Sequence, residues 1–295
     1  MVNQGCRQEK QVKKLSGKKG VAWRARRRRR MVQAAFFVLV ALISMNHFLA
    51  ESGREIPILG SASLHAICPF GGVVSIIQFT TDGSFAQKTH ESSWILMWIG
   101  FGVALLFGPA FCGWICPFGT FQEWVGKIGQ RIMKKRYNRV VPAGVDRVLR
   151  YARYGVLAWV VYMTAVTGKL VFAEYDPYFT LFNLWTGEVA VVGYVILAVV
   201  VLLSLVVERP FCKYACPYGA VLGVFNLFRI FGIKRQASTC IDCGLCDKSC
   251  PMNINVSGVG VIRDHQCITC LECTSEVSCP VDDTVVFQAG KGGKS

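Results

Sequence analysis

The chain has 295 residues, 53% of them hydrophobic and only 17% charged, and carries a net charge of +15. With a mean hydropathy of +0.39, that balance excludes an ordinary soluble globular protein and points to the membrane class. Fourteen cysteines, twelve of them in tight groups, with no secretory signal ahead of them, favour metal ligation over a disulfide framework. No P-loop, dinucleotide fingerprint or hydrolytic triad is visible.

Residues 1–30 carry twelve Lys and Arg against the single acid Glu9, so this tail supplies +11 of the net charge. A basic arm can bind nucleic acid. Here Arg30 abuts an apolar run directly, and the tail reads as a cytoplasmic topology signal lying against anionic membrane lipid, with no nucleic-acid partner. The run 31–49 is longer than a signal-peptide core and lacks a small-residue cleavage site after it, so a retained span is expected. Three further stretches, 93–111, 148–166 and 189–207, match it in length and character. Each of the four has 19 residues, close to the roughly 20 that a hydrocarbon core of about 30 Å requires.

Flanking charge orients these spans. The 127–153 connection is rich in Lys and Arg, from Lys127 to Arg153, whereas the 50–92 and 167–188 loops are poor in them and hold Glu51, Glu55, Asp82, Glu91, Glu174 and Asp176. The positive-inside rule predicts a multi-pass protein of the cell membrane with both termini and the C-terminal cysteines in the cytoplasm. On the outer side, the stretch 66–79 is too short to span and is expected at the interface. The aromatic run Tyr175, Tyr178, Phe179, Phe182 and Trp185 is expected to form an interfacial belt. Within the first of these loops, Cys68 precedes Pro69, with His65 three residues upstream. An outer metal or flavin site and a packing role in a re-entrant turn both fit that pair.

Phe111-Cys112-Gly113-Trp114-Ile115-Cys116-Pro117-Phe118-Gly119 recurs as Phe211-Cys212-Lys213-Tyr214-Ala215-Cys216-Pro217-Tyr218-Gly219, each copy at the cytoplasmic end of an apolar stretch. After the first, Phe118, Phe121, Trp124, Val125, Ile128 and Ile132 recur at helical spacing, predicting an amphipathic helix with those side chains on its buried face. Cysteines at i and i+4 share one helix face. The set Cys112, Cys116, Cys212 and Cys216 therefore suits a third iron–sulfur centre, another soft metal or redox-active dithiols, against the plainer reading of small packing residues.

The most specific pattern is Cys240-x2-Cys243-x2-Cys246-x3-Cys250-Pro251, followed by Cys267-x2-Cys270-x2-Cys273 and then Cys279-Pro280. Three thiolates spaced by two residues wrap one [4Fe–4S] cube, and the fourth ligand comes from the distant Cys-Pro of the other run. This assigns Cys240, Cys243, Cys246 and Cys279 to one cluster, and Cys267, Cys270, Cys273 and Cys250 to the other. Five residues rather than three separate Cys273 from Cys279, so a longer local loop is expected there. A pair of four-cysteine zinc sites is the competing reading.

Residues 236–290 resemble the two-cluster bacterial ferredoxins, which implies a small βαββαβ fold that moves one electron per cluster. Over roughly 90–290, the two C-x3-C-P motifs followed by the ferredoxin runs resemble the NapH/NosR-type membrane ferredoxins. That resemblance implies electron transfer of the quinol-dehydrogenase type between menaquinone or another quinone and redox partner subunits carrying flavin or haem. A related branch of copper-reducing assembly factors shares the motif. It gives the alternative, a metal-handling or regulatory factor using the same clusters.

The expected architecture is an all-α membrane domain of four transmembrane helices plus a small α+β ferredoxin-like domain holding two [4Fe–4S] clusters. Its divisions are a basic tail (1–30), a membrane domain with the duplicated unit (31–235) and the ferredoxin-like domain (236–295).

Overall fold

The computed structural model describes residues 19–51, 91–167, 172, 175–185 and 189–289; the interfacial stretch expected at 66–79 lies outside them. Helix α1 (Lys19–Glu51) contains Arg26–Leu49, 24 residues, the one helix among the described residues long and apolar enough to cross a bilayer. The other expected spans appear as shorter helices: α2 (Glu91–Phe107), α5 (Ala152–Thr167) and α7 (Val191–Ser204). At a rise of about 1.5 Å per residue they are about 21 to 26 Å long, short of a core of about 30 Å.

Each ends for a local reason. Gly108 takes a left-handed φ of 79° and closes the last turn of α2 by donating to the Ala104 carbonyl, and Pro109 cannot continue the helix. A second left-handed residue before a proline, Arg209 at φ 51° ahead of Pro210, separates α7 from α8 (Pro210–Tyr214). Between α4 (Ala143–Leu149) and α5, a break at Arg150 and Tyr151 divides what was expected as one span.

Two compact units partition the described chain. One gathers 33–51, 91–102 and 115–221. Its core packs Phe118 of α3 (Pro117–Met133) with Leu197 and Val200 of α7, and Val40 of α1 with Phe182 of α6 (Pro177–Phe182). Phe182 is therefore a core residue, its ring tilted against that of Phe37 with centroids 5.5 Å apart, rather than a member of an interfacial belt. The burial pattern of α3 is the reverse of the expected one over much of its length. Gln122, Glu123, Gly126 and Gly129 are buried while Ile128 and Ile132 are exposed. Ile95, Trp98 and Ile99 on α2 and Val191, Val195 and Leu202 on α7 are exposed as well. Small and polar groups inside with bulky apolar groups outside is the arrangement that lipid, not water, favours.

The other unit gathers 19–32, 103–114 and 222–289. It holds the end of α9 (Pro217–Leu227), strand β1 (Phe231–Arg235), the short helix α10 (Leu245–Ser249) and strand β2 (Val285–Ala289). The strands pair antiparallel with Ile233 opposite Phe287, and Phe107 stacks on Phe231 at 5.2 Å. Strand β1 begins upstream of the boundary expected at 236. In place of a full βαββαβ pattern, the described residues form this two-stranded sheet and one isolated bridge from Lys234 to Val261. The segments between carry thiols instead of ladders, and several of their residues are left-handed, among them Asp242, Asn253, Thr269 and Leu271.

Candidate functional site

In the unit containing β1 and β2, Cys250, Cys267, Cys270 and Cys273 line a single cavity with Ile233, Met252, Ile254, Val256, Ile262 and Ile268. These are the four thiols that crossed pairing of the two runs groups together. Burial pushes the Cys270 thiol up to about 11, with Arg29 pulling the other way. It raises Cys250 and Cys273 too, reinforced by their fellow thiols. Cys250, Cys270 and Cys273, crowded in an apolar cavity, resist ionisation until a cation arrives to bind their thiolates.

The remaining thiols form a second set. Burial and then Asp247 push Cys246 up to about 11, and Cys279 and Cys243 act on it as well. Burial also raises Cys279, which feels Cys243 and Cys240. Cys246 is the weakest of the thiol neighbours that act on Cys273, where the two sets adjoin. Among the described residues, no three His, Cys, Asp or Glu side chains converge as tightly as one metal ion requires; the thiols stand around their cavity instead.

Backbone geometry positions Cys270. Thr269 and Leu271 on either side are left-handed, at φ 50° and 59°, a conformation that is strained for a β-branched residue. Thr269 is held from three directions. Its hydroxyl donates to the Phe107 carbonyl at 3.0 Å, its carbonyl accepts from the Trp114 indole at 3.0 Å, and Arg229 Nη1 donates to its hydroxyl at 3.4 Å. The five-residue spacer after Cys273 folds on itself. Cys279 N donates to the Ser275 carbonyl at 2.8 Å, and the Ser275 and Ser278 hydroxyls are 3.0 Å apart. The extra length is thus taken up in a closed turn.

Several partners of these thiols carry no spacing signal in the sequence. Arg229, 4% exposed, donates to Cys267 Sγ at 3.6 Å and to the Ile262 carbonyl. Arg29, 5% exposed, donates to Glu272 at 2.8 Å and to the Gly113 carbonyl at 3.1 Å, and Arg26 bonds the other Glu272 oxygen at 2.9 Å. Two arginines of the basic segment expected to lie on lipid thus hold the loop between Cys270 and Cys273. Gly113 explains its own identity, because a Cβ there would meet the Ile268 carbonyl oxygen.

In the other unit, Cys116 and Cys212 act on one another. Burial and then Cys212 push Cys116 up to about 12, and Arg209 opposes this. Burial raises Cys212, and Arg209, Gln122 and Arg153 oppose it. Gln122 Nε2 donates to Cys212 Sγ at 3.4 Å while its Oε1 accepts from Phe211 N at 3.1 Å. Cys216 Sγ accepts from Gly219 N at 3.3 Å. Arg209, wholly buried, pairs with Glu123 at 2.9 Å, and Gln33 donates to the same carboxylate oxygen at 3.2 Å. Lys213, standing where the first copy has Gly113, is wholly buried and pairs with Asp146 at 2.7 Å. Cys112 falls in the unit that contains β1 and β2; His65 and Cys68 lie outside the described residues.

The thiol sets and the duplicated C-x3-C-P motifs are those of an iron–sulfur protein. A family model described as a 4Fe-4S binding domain matches twice, over 90–136 and 189–235, the two units that carry the C-x3-C-P motifs. The Escherichia coli protein YccM, described as an electron transport protein, is 29% identical over 229 residues, 76% of this chain and 63% of its own length. The uncharacterized protein MJ0750 of Methanocaldococcus jannaschii is 32% identical over 216 residues, 73% of this chain and 84% of its own. The regulatory protein NosR of Pseudomonas aeruginosa is 29% identical over 193 residues, 64% of this chain and 25% of its own. No solved structure gives a significant match. The chain belongs to the NapH/NosR-type family of membrane polyferredoxins. It spans less than two thirds of the length of YccM and about a quarter of that of NosR.

Proposed function

We propose that the protein is a multi-pass electron carrier of the cell membrane, linking menaquinone or another quinone to two cytoplasmic [4Fe–4S] clusters and through them to redox partner subunits carrying flavin or haem. Cys240, Cys243, Cys246 and Cys279 hold one cluster. Cys250, Cys267, Cys270 and Cys273 hold the other. The observation that carries this reading is the cavity lined by the latter four thiols, since soft thiolates arranged around an apolar void suit a cube whose own irons neutralise them. Cys116, Cys212 and Cys216 of the duplicated motif form a group of redox-active thiols or a further soft-metal site.

Four spans are supported by the outward-facing apolar side chains of α1, α2 and α7, and cytoplasmic clusters by the basic flanks of the chain. Iron and sulfide analysis with low-temperature EPR tests the ligand sets. About eight irons correspond to two cubes and about twelve to three. Cys250→Ser is expected to remove the signal of one cube and leave the other. Reduction of the clusters by a quinol analogue in proteoliposomes tests the quinone link, and failure of every quinol tried would refute it.

A further inference from the structure

The two thiol sets sit in electrostatically opposite surroundings. Around Cys250, Cys267, Cys270 and Cys273 the charged groups nearest the thiols are mostly cations. Arg229 bonds Cys267 Sγ directly at 3.6 Å, and Arg29 and Glu272 both act on Cys270. Glu272 is itself bound by two guanidiniums, Arg29 at 2.8 Å and Arg26 at 2.9 Å, one on each oxygen. Around Cys240, Cys243, Cys246 and Cys279 two carboxylates, Asp242 and Asp247, stand against one cation, Arg235, which bonds Cys240 as well. Asp242 Oδ1 lies 3.5 Å from Cys240 Sγ and is paired with Arg235 at 2.9 Å. Asp247 Oδ1 lies 3.9 Å from Cys246 Sγ. The Asp247 carboxylate is locked in place, accepting from Val256 N at 2.6 Å, Ser257 N at 2.8 Å and the Ser257 hydroxyl at 2.5 Å.

A cluster gains one negative charge when it is reduced. Cations and N–H donors at its sulfurs therefore favour the reduced form, and nearby carboxylates oppose it. Burial cuts both ways. It penalises the extra charge, and it also lengthens the reach of fixed charges that water would otherwise screen. Arg229 and Arg29 are nearly fully buried, at 4% and 5% exposure, whereas Asp242 is 79% exposed. The favourable cations thus act at close to full strength where they stand.

On the reading that both sets hold [4Fe–4S] clusters, we propose that Arg229 and Arg29 poise the Cys250/Cys267/Cys270/Cys273 cluster at the higher potential of the pair. The Cys240/Cys243/Cys246/Cys279 cluster is then the stronger reductant, and electrons shared between them rest on the arginine-flanked cube. Each step moves one electron from the reduced low-potential cube to the oxidised high-potential one, with no bond made or broken. Arg229 and Arg29 are positioning residues in this scheme.

The test is an EPR-monitored redox titration of the purified full-length protein in detergent. Wild type is expected to show two midpoints separated by at least tenfold in the reduction equilibrium, about 59 mV for a one-electron couple. Arg229→Gln is expected to lower the higher midpoint, by about the same factor, and leave the lower one in place. Glu272→Gln is expected to raise the higher midpoint, and the Arg29→Gln/Glu272→Gln double variant to return it toward wild type. A merely structural role would not produce opposite signs that cancel, so these variants separate charge from folding even if Arg229→Gln loses iron. Coincident wild-type midpoints, an Arg229→Gln shift confined to the lower couple, or shifts of the same sign in Arg29→Gln and Glu272→Gln would each overturn the proposal. A wild-type protein with fewer than about eight irons would instead overturn the two-cluster reading on which it rests, and iron analysis detects that before any titration.

Discussion

Replacing Glu123 by Gln keeps the shape and the acceptor oxygen that Gln33 and Arg209 use, and removes only the charge. Arg209 is wholly buried and Glu123 is 9% exposed, with 2.9 Å between them. At that distance the attraction is about 6 kcal/mol with an effective dielectric of about 20. Most of that gain offsets the cost of desolvating both ions, so the pair adds little net stability, but taking one partner away leaves the other charge stranded. The expected loss for Glu123→Gln is about 3 to 5 kcal/mol. The double variant Glu123→Leu/Arg209→Leu strands nothing, so it is expected within about 2 kcal/mol of wild type. The assay is denaturant unfolding in detergent followed by tryptophan fluorescence, with Trp124 on the same helix as a reporter. A Glu123→Gln cost below about 1 kcal/mol, the range of exposed pairs, would refute the reasoning. So would a double variant that loses the sum of the single costs.

Gly113→Ala is expected to cost about 1 to 3 kcal/mol, as overpacking does, because the new Cβ meets the Ile268 carbonyl, a backbone atom that cannot swing aside. Gly102→Ala, with open space around it, is the matched control and is expected to melt at or above the wild-type temperature. Trp114→Phe removes the indole donor to the Thr269 carbonyl and is expected to lower stability by about 1 kcal/mol, read from thermal unfolding. Burial alone would raise the Asp146 carboxyl, yet bonds from Lys213, Tyr214 and Arg150 hold it below its ordinary value. A carboxyl depressed on folding stabilises the protein above the unfolded range near 3.9 and loses that contribution as pH falls through the folded value. Asp146→Asn is therefore expected to destabilise at pH 7, and its difference from wild type to shrink in unfolding curves taken below about pH 4.

The gathering of the thiols is legible in the sequence because the spacing is local: three cysteines two residues apart must lie on one loop whatever the surroundings. The charges that serve them are not. Arg29 and Glu272 are 243 residues apart, and nothing in a run of arginines says which two turn inward. Gln122 and Glu123 were hidden for another reason. Helical periodicity locates an apolar face, but which face is buried depends on the solvent, and a helix among outward-facing apolar side chains buries its amides and carboxylates instead. The signal that was available is an adjacent amide and acid inside an otherwise apolar turn. Hydropathy shows continuous spans at 93–111 and 148–166 because it averages over Gly108-Pro109 and the break at Arg150, which backbone geometry does not.

The β1–β2 unit is stitched from segments that lie far apart along the chain, including 103–114 and 222–289. During synthesis, the Phe107 platform emerges well before either strand exists, and β1 waits for residues 285–289 to find its partner. Contacts of such long sequence separation form late and slowly. Completion of the cavity lined by Cys250, Cys267, Cys270 and Cys273 is then a closing event of biogenesis, made after every apolar helix has left the ribosome. A nascent chain stalled before residue 285 would carry all four of these thiols with no finished cavity around them, exposing them to oxidation and to quality-control proteases.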